Sequence, residues 1–124
     1  MINQYEVPAY IEDNIPALKK ALHQFPAVFH IYDTVSCFSE YTGTQLREEN
    51  FNVAGKCLSL AGKLYERGNE VVKGAITRVF LPALCAVPIT NGMNRIRVYS
   101  MIPGSIYSLF IQEQLNFNKR TNQQ

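Results

Sequence analysis

Phe51-Asn52-Val53-Ala54-Gly55-Lys56-Cys57-Leu58-Ser59-Leu60-Ala61-Gly62-Lys63-Leu64-Tyr65-Glu66-Arg67-Gly68-Asn69 is the stretch whose reading decides the fold class of this chain. Ala54, Cys57, Leu58, Ala61, Leu64 and Tyr65 recur at steps of three and four, while Lys56, Lys63 and Arg67 collect on the opposite side. That is the period of a helix with one face in a core, and it predicts an amphipathic helix over Phe51–Arg67. Gly68-Asn69 reads as its end, with a left-handed residue expected there because glycine carries no Cβ penalty in that conformation. Val72, Ala75, Ile76, Val79 and Phe80 continue the same period to about Leu81, where Pro82 kinks or ends the second helix. The two helices predict a central antiparallel hairpin.

Outward from the hairpin the pattern stays helical. Ile31, Val35, Phe38, Thr42 and Leu46 mark a helix over Ile31–Glu49 with a looser period, weakened in its middle by Gly43. Residues 24–27 read as a connection. Asn14-Ile15-Pro16 reads as the start of a helix running to about His23 with Leu18 and Leu22 inward, and Glu6–Asp13 as a short helix opened by Pro8. Thr90-Asn91-Gly92-Met93-Asn94 is the strongest loop signal. Arg95–Met101 alternates as a strand would, but no second strand offers itself as a partner, so a short helix ending before Pro103 is the expectation. Ile102-Pro103 then opens a last helix with Ile106, Leu109, Phe110 and Phe117 toward the core, leaving a polar tail over 118–124. The reading is all-α: one compact domain of about five to six helices over residues 1–117.

Composition bounds the function. The chain has 124 residues, 47% hydrophobic and 18% charged, enough to build a core without cross-links. Three widely spaced cysteines, Cys37, Cys57 and Cys85, fit a reducing compartment better than a disulfide framework. The first residues have no basic stretch followed by an apolar one, and the longest apolar run, Val79–Ile89, is eleven residues with Pro82 and Pro88 inside it, too short to span a bilayer. A cytoplasmic location is the expectation. The overall charge of +2 hides a polarity: residues 1–70 carry nine acids and six bases, whereas residues 71–124 carry six bases against one acid, a net +5.

Side chains capable of chemistry do not assemble into a known pattern. His23 and His30 are separated by seven residues across Pro26 with no cysteine beside them, so no metal and no cofactor is predicted; His23 reads as a cation near a helix C-terminus. Cys57 and Cys85 lie on apolar stretches, and Cys37 is the one thiol expected to be partly exposed. Glu12-Asp13 and Glu48-Glu49 are adjacent pairs, whose side chains point about 100° apart on a helix and share no site. The glycines are scattered and form no phosphate-binding turn. Gly55 and Gly62, seven apart, read as places where another backbone comes close. No catalytic residue is assigned.

Val79–Ile89 is the sharpest anomaly. A helix apolar all round is buried on all sides, so the run is either the central helix or has one side against another chain. The second alternative nominates Phe80, Leu84 and Val87, with Arg95 and Arg97 of the basic half, as an interaction surface for another protein or a second copy of the chain. The leading expectation is therefore a non-enzymatic protein-binding module. The alternatives are a small-ligand protein or enzyme with a pocket lined by Tyr65, Tyr99, Tyr107 and Cys37, and a weak nucleic-acid binder using Arg95, Arg97, Lys119 and Arg120 with Tyr99 and Tyr107 as stacking groups.

Two resemblances add to this. Ala54–Asn69 followed by Val72–Phe80 is similar to one helical hairpin of tetratricopeptide-type repeats, although Lys73 stands where that pattern has alanine and no second copy occurs. Tyr5-Glu6-Val7-Pro8-Ala9, Asn14-Ile15-Pro16, Ala61–Asn69 and Ile102-Pro103-Gly104-Ser105-Ile106-Tyr107-Ser108-Leu109 together resemble a family of small helical proteins from bacteria, Bacteroidetes-type ones especially, grouped as a domain of unknown function. That resemblance implies a helical fold and a bacterial cytoplasmic origin and carries over no catalytic residue. By analogy of size and build alone, an accessory or immunity-type role beside a toxin is implied.

Overall fold

A computed structural model describes residues 1–23 and 30–122, with side chains through 119. The chain is all-α. Its elements are α1 (Val7–Asn14), a 3-10 turn (Pro16–Leu18) running into the single turn α2 (Lys19–Leu22), α3 (Ile31–Arg47), α4 (Phe51–Arg67), α5 (Glu70–Ala75), a π turn (Ile76–Phe80), α6 (Leu81–Ala86), α7 (Gly92–Met101) and α8 (Gly104–Asn122). The connection expected at residues 24–27 and the end of the expected tail, residues 123–124, lie outside the described residues.

α3 and α4 are the antiparallel pair at the centre, joined by three residues. Glu49 takes φ 61 there, its N–H donating to the Leu46 carbonyl (3.2 Å) and that of Asn50 to the Gln45 carbonyl (2.9 Å). These two bonds form a Schellman closure, which satisfies the last carbonyls of α3 and reverses the chain. The apolar stripe of α4 is buried as its spacing predicts, with Ala54, Cys57, Leu58, Ala61 and Leu64 fully enclosed. α3 contributes Val35 and Phe38 together with Thr34, Ser39 and Thr42, whose hydroxyls donate to the carbonyls four residues back at 3.1, 2.7 and 2.8 Å. These bonds satisfy the hydroxyl protons of the three buried polar residues.

The corner between α4 and α5 corrects one expectation. Gly68 is not left-handed; it is extended, with φ −74° and ψ 155°. It must be glycine for space, because a Cβ there would lie 2.4 Å from the Leu64 carbonyl oxygen and 2.6 Å from Val72 Cγ1. Ile2 comes alongside, its N–H donating to the Arg67 carbonyl (2.7 Å) and its carbonyl accepting from the Asn69 N–H (2.8 Å), a single parallel bridge. Asn69 then caps α5, its side-chain oxygen accepting from the Val72 N–H at 3.0 Å.

From Glu70 the path stays helical to Ala86, through Pro82. A proline in an α-helix lacks the N–H for its own bond and crowds the carbonyl four residues back. Here the turn before it is widened: the Leu81 N–H donates to the Ile76 carbonyl, five residues back, and α6 restarts with Pro82 in its first turn, where no N–H is needed. Phe80, Leu81, Leu84 and Cys85 consequently face inward as two adjacent pairs, and the Phe80 ring stacks on Phe38 at 5.2 Å. The residues of α6 that are not buried are small: Pro82, Ala83 and Ala86.

α8 packs on α6 and α4, and α7 on α4. Gly55 and Gly62 are closely approached here, by side chains and not by the backbone that their spacing predicts. A Cβ on Gly62 would sit 2.6 Å from Pro103 Cβ and Cγ, and one on Gly55 3.2 Å from Met101 Sδ. Arg95–Met101 is helical throughout, and the loop signal before it is the cap of α7, with the Asn91 side chain accepting from the N–H groups of Met93 (2.8 Å) and Asn94 (3.2 Å). Among the described residues no helix is long and apolar enough to cross a membrane.

Candidate functional site: a cleft between α6, α7 and α8

Five residues nominated for an interaction surface separate in the structure. Phe80 (1% exposed) and Leu84 (6%) belong to the core, so Phe80 is not presented to a partner. Val87 is half-buried, and Arg95 and Arg97 are exposed. On a strand these two arginines would share a face, but two residues apart on α7 they point in nearly opposite directions. Arg97 lies over the Phe51 ring, 4.6 Å from its centroid, and shields that otherwise accessible edge of α4. Arg95 turns the other way, donating from Nη2 to the Ile89 carbonyl at 3.0 Å.

Beneath Arg95 is a cleft of about 340 Å3. Its floor is apolar and comes from three helices: Leu84 and Cys85 of α6, Val98 of α7 and Phe110 of α8. The chain leaving α6 closes one side with Val87 and Ile89. Tyr99 forms a wall, its ring edge-on to Phe110 with centroids 5.2 Å apart and planes at 80°. Gln114 and Asn118 of α8 complete the mouth with neutral hydrogen-bonding groups. Arg95 is the one charged side chain among the described residues that line it.

The pocket expected from Tyr65, Tyr99, Tyr107 and Cys37 is not assembled, since only Tyr99 of the four reaches this cleft. Tyr65 is engaged by Lys73, whose Nζ stands 5.8 Å from the ring centroid. Burial, and to a lesser degree the neighbouring Glu40 carboxylate, push the Cys37 thiol above its ordinary range. Burial also pushes Cys57 up against the opposing pull of a hydrogen bond with Thr42. Neither thiol is activated as a nucleophile. His23 pairs through Nε2 with Glu12, and His30 Nδ1 stands 3.7 Å from Asp33. Among the described residues no three His, Cys, Asp or Glu side chains gather as a metal site.

Two features escaped the sequence reading. The first is the meeting of Gln114 and Asn118 with Arg95, which depends on how α7 and α8 pack. The second is the outer face of α7, where Met93 is 77% and Ile96 69% exposed. Their spacing of three beside Arg97 is the one hint of a shared face, and it is masked by the alternation of Arg95–Met101.

The architecture is thus an all-helical domain with a cleft between α6, α7 and α8 and with α7 lightly docked. Residues 8–117 match the family described as a domain of unknown function (DUF7674), and the chain belongs to that family. No curated protein and no solved structure matches the chain.

Proposed function

We propose that this chain is a non-enzymatic protein-binding module that presents the outer face of α7 to an acidic partner protein. The observation that carries the reading is the state of α7: Val98 is its one fully buried residue, and its two large aliphatic side chains Met93 and Ile96 stand in water. Exposed apolar side chains adjoining a cation, on an element held by few neighbours, are the composition of a recognition surface rather than of a solvated helix. Arg97 adjoins them on the same face, and the basic balance of residues 71–124 favours an acidic counterpart. A bacterial, cytoplasmic accessory or immunity-type role fits a small module whose chemistry is confined to its surface.

A photo-crosslinking residue placed at position 96, with position 108 on exposed α8 as control, tests the proposal in cells of the source organism. The expected result is a discrete adduct from position 96 that disappears in Arg97→Glu and maps to an acidic segment of another protein. Equal labelling from both positions, or none from 96, overturns it. Adducts solely with a second copy of the chain replace the hetero-partner with self-association.

A further inference from the structure

The geometry points to the cleft between α6, α7 and α8 as a binding site for a small monoanionic ligand with an apolar, flat body: an aryl-substituted carboxylate. This goes beyond the protein-binding reading and stands independently of it. Small-molecule sites are concave, floored by apolar and aromatic groups, and supplied with a few polar groups that fix orientation. In this cleft the accessible apolar surface comes from the half-buried Val87, Ile89 and Tyr99 beside a larger polar mouth, and its volume of about 340 Å3 suits a single-ring compound.

The charge of the ligand follows from the mouth. Arg95 has five N–H donors in a planar fork, of which the Ile89 carbonyl takes one. No carboxylate lines the cleft among the described residues, so the charge of the fork is not neutralised from within it. An anion entering beside Arg95 gains a charge-assisted, two-point contact of the kind that distinguishes guanidinium from ammonium. A cationic ligand meets repulsion and finds no acceptor of opposite charge.

The shape of the ligand follows from the walls. Tyr99 and Phe110 meet edge-on above a floor of Leu84, Cys85 and Val98. Phe110 is taken up in holding Tyr99 in place, being 3% exposed, and the half-buried Tyr99 ring is the aromatic surface left for a flat ligand to pack on. Gln114 lines the same cleft and brings an amide N–H within its walls as a second donor for the carboxylate.

The test uses the full chain and three probes of one shape: 3-phenylpropionate, its neutral amide, and 3-phenylpropylamine. Titration followed by backbone-amide NMR should show the carboxylate binding, with shifts concentrated at Val98, Tyr99 and Gln114, and the amine silent. Loss of one charge-assisted contact predicts that the amide binds about tenfold more weakly. Arg95→Gln should reduce carboxylate affinity by a similar factor and leave amide affinity unchanged, and Arg97→Gln, on the far side of α7, should alter neither. Equal affinity for carboxylate and amide, an unchanged affinity in Arg95→Gln, shifts located elsewhere, or no binding of the carboxylate at millimolar concentration each overturn the assignment. Arg95 is exposed, so its replacement is expected to fold, and the amide titration of the variant serves as the control for an intact cleft.

Discussion

Glu49 holds a left-handed backbone that glycine adopts freely and other residues resist. Glu49→Gly should therefore stabilise the fold by about 0.5–1 kcal/mol in urea unfolding, since relief of the backbone outweighs loss of the exposed bond from Asn94 Nδ2 to Glu49 Oε1. Glu49→Ala keeps the backbone penalty, drops that bond, and should be slightly destabilising. Two other glycines carry opposite expectations. Gly74 has open space where a Cβ would go, and Gly74→Ala should stabilise by about 0.5–1 kcal/mol through helix propensity. Gly62→Ala drives a methyl group into Pro103 and should cost about 1–3 kcal/mol. The raised thiol of Cys37 gives a pH dependence with a definite sign: the thiolate fraction at neutral pH is depressed, so alkylation is slow there and accelerates as pH rises past the ordinary thiol range. Glu40→Gln removes the smaller of the two causes and should shift the rate profile toward lower pH. At this scale the sequence was informative about which glycines matter at helix contacts. It misled at Gly68, because a glycine needed for room and one needed for a left-handed turn are written with the same letter.

Elements differ in how plainly they announced themselves, and the difference follows what each one buries. α4 turns a continuous aliphatic stripe inward and was legible residue by residue. α3 encloses Thr34, Ser39 and Thr42 along with Val35 and Phe38, so its hydrophobic period is interrupted although its buried face is not. α7 encloses Val98 alone, too little to impose a period of 3.6, and a chance alternation could imitate a strand. The π turn had no signal except Pro82 itself, since widening by one residue depends on the crowding of a carbonyl that only a folded helix supplies. The shallow seating of α7 makes it the element to perturb. Val98→Ala should cost about 1–3 kcal/mol, and loss of the Asn91 cap in Asn91→Ala about 0.5–2 kcal/mol. Both should raise amide exchange across residues 92–101 while leaving α4 protected.

For the molecule as a whole, the decisive question was whether the apolar run belongs inside or against another chain. Phe80, stacked on Phe38 and 1% exposed, is core together with Leu81, Leu84 and Cys85, while Ala86 and Pro88 of the same run stay exposed, and Phe80→Ala should cost about 3–5 kcal/mol in equilibrium unfolding. The all-helical architecture was legible because it rests on local periods, whereas the antiparallel pair at the centre is α3 with α4 and not α4 with the helix that follows Asn69, the pairing that the sequence predicts. The cleft was not legible, because Leu84, Arg95, Phe110 and Asn118 come from separate parts of the chain and meet only once α6, α7 and α8 are packed. Among such distant encounters, the bridge of Ile2 to Gly68 joins positions more than sixty residues apart. During synthesis, Ile2 has nothing to pair with until the α4–α5 corner has left the ribosome, and closing so long a loop comes late in folding. A contact absent from the transition state sets the lifetime of the folded molecule rather than the speed of its formation. Ile2→Ala, which removes the buried side chain that seats the bridge, should accordingly hasten unfolding in stopped-flow dilution while the refolding rate is unchanged, which would make the seating of this end of the chain a timer for how long each folded copy persists.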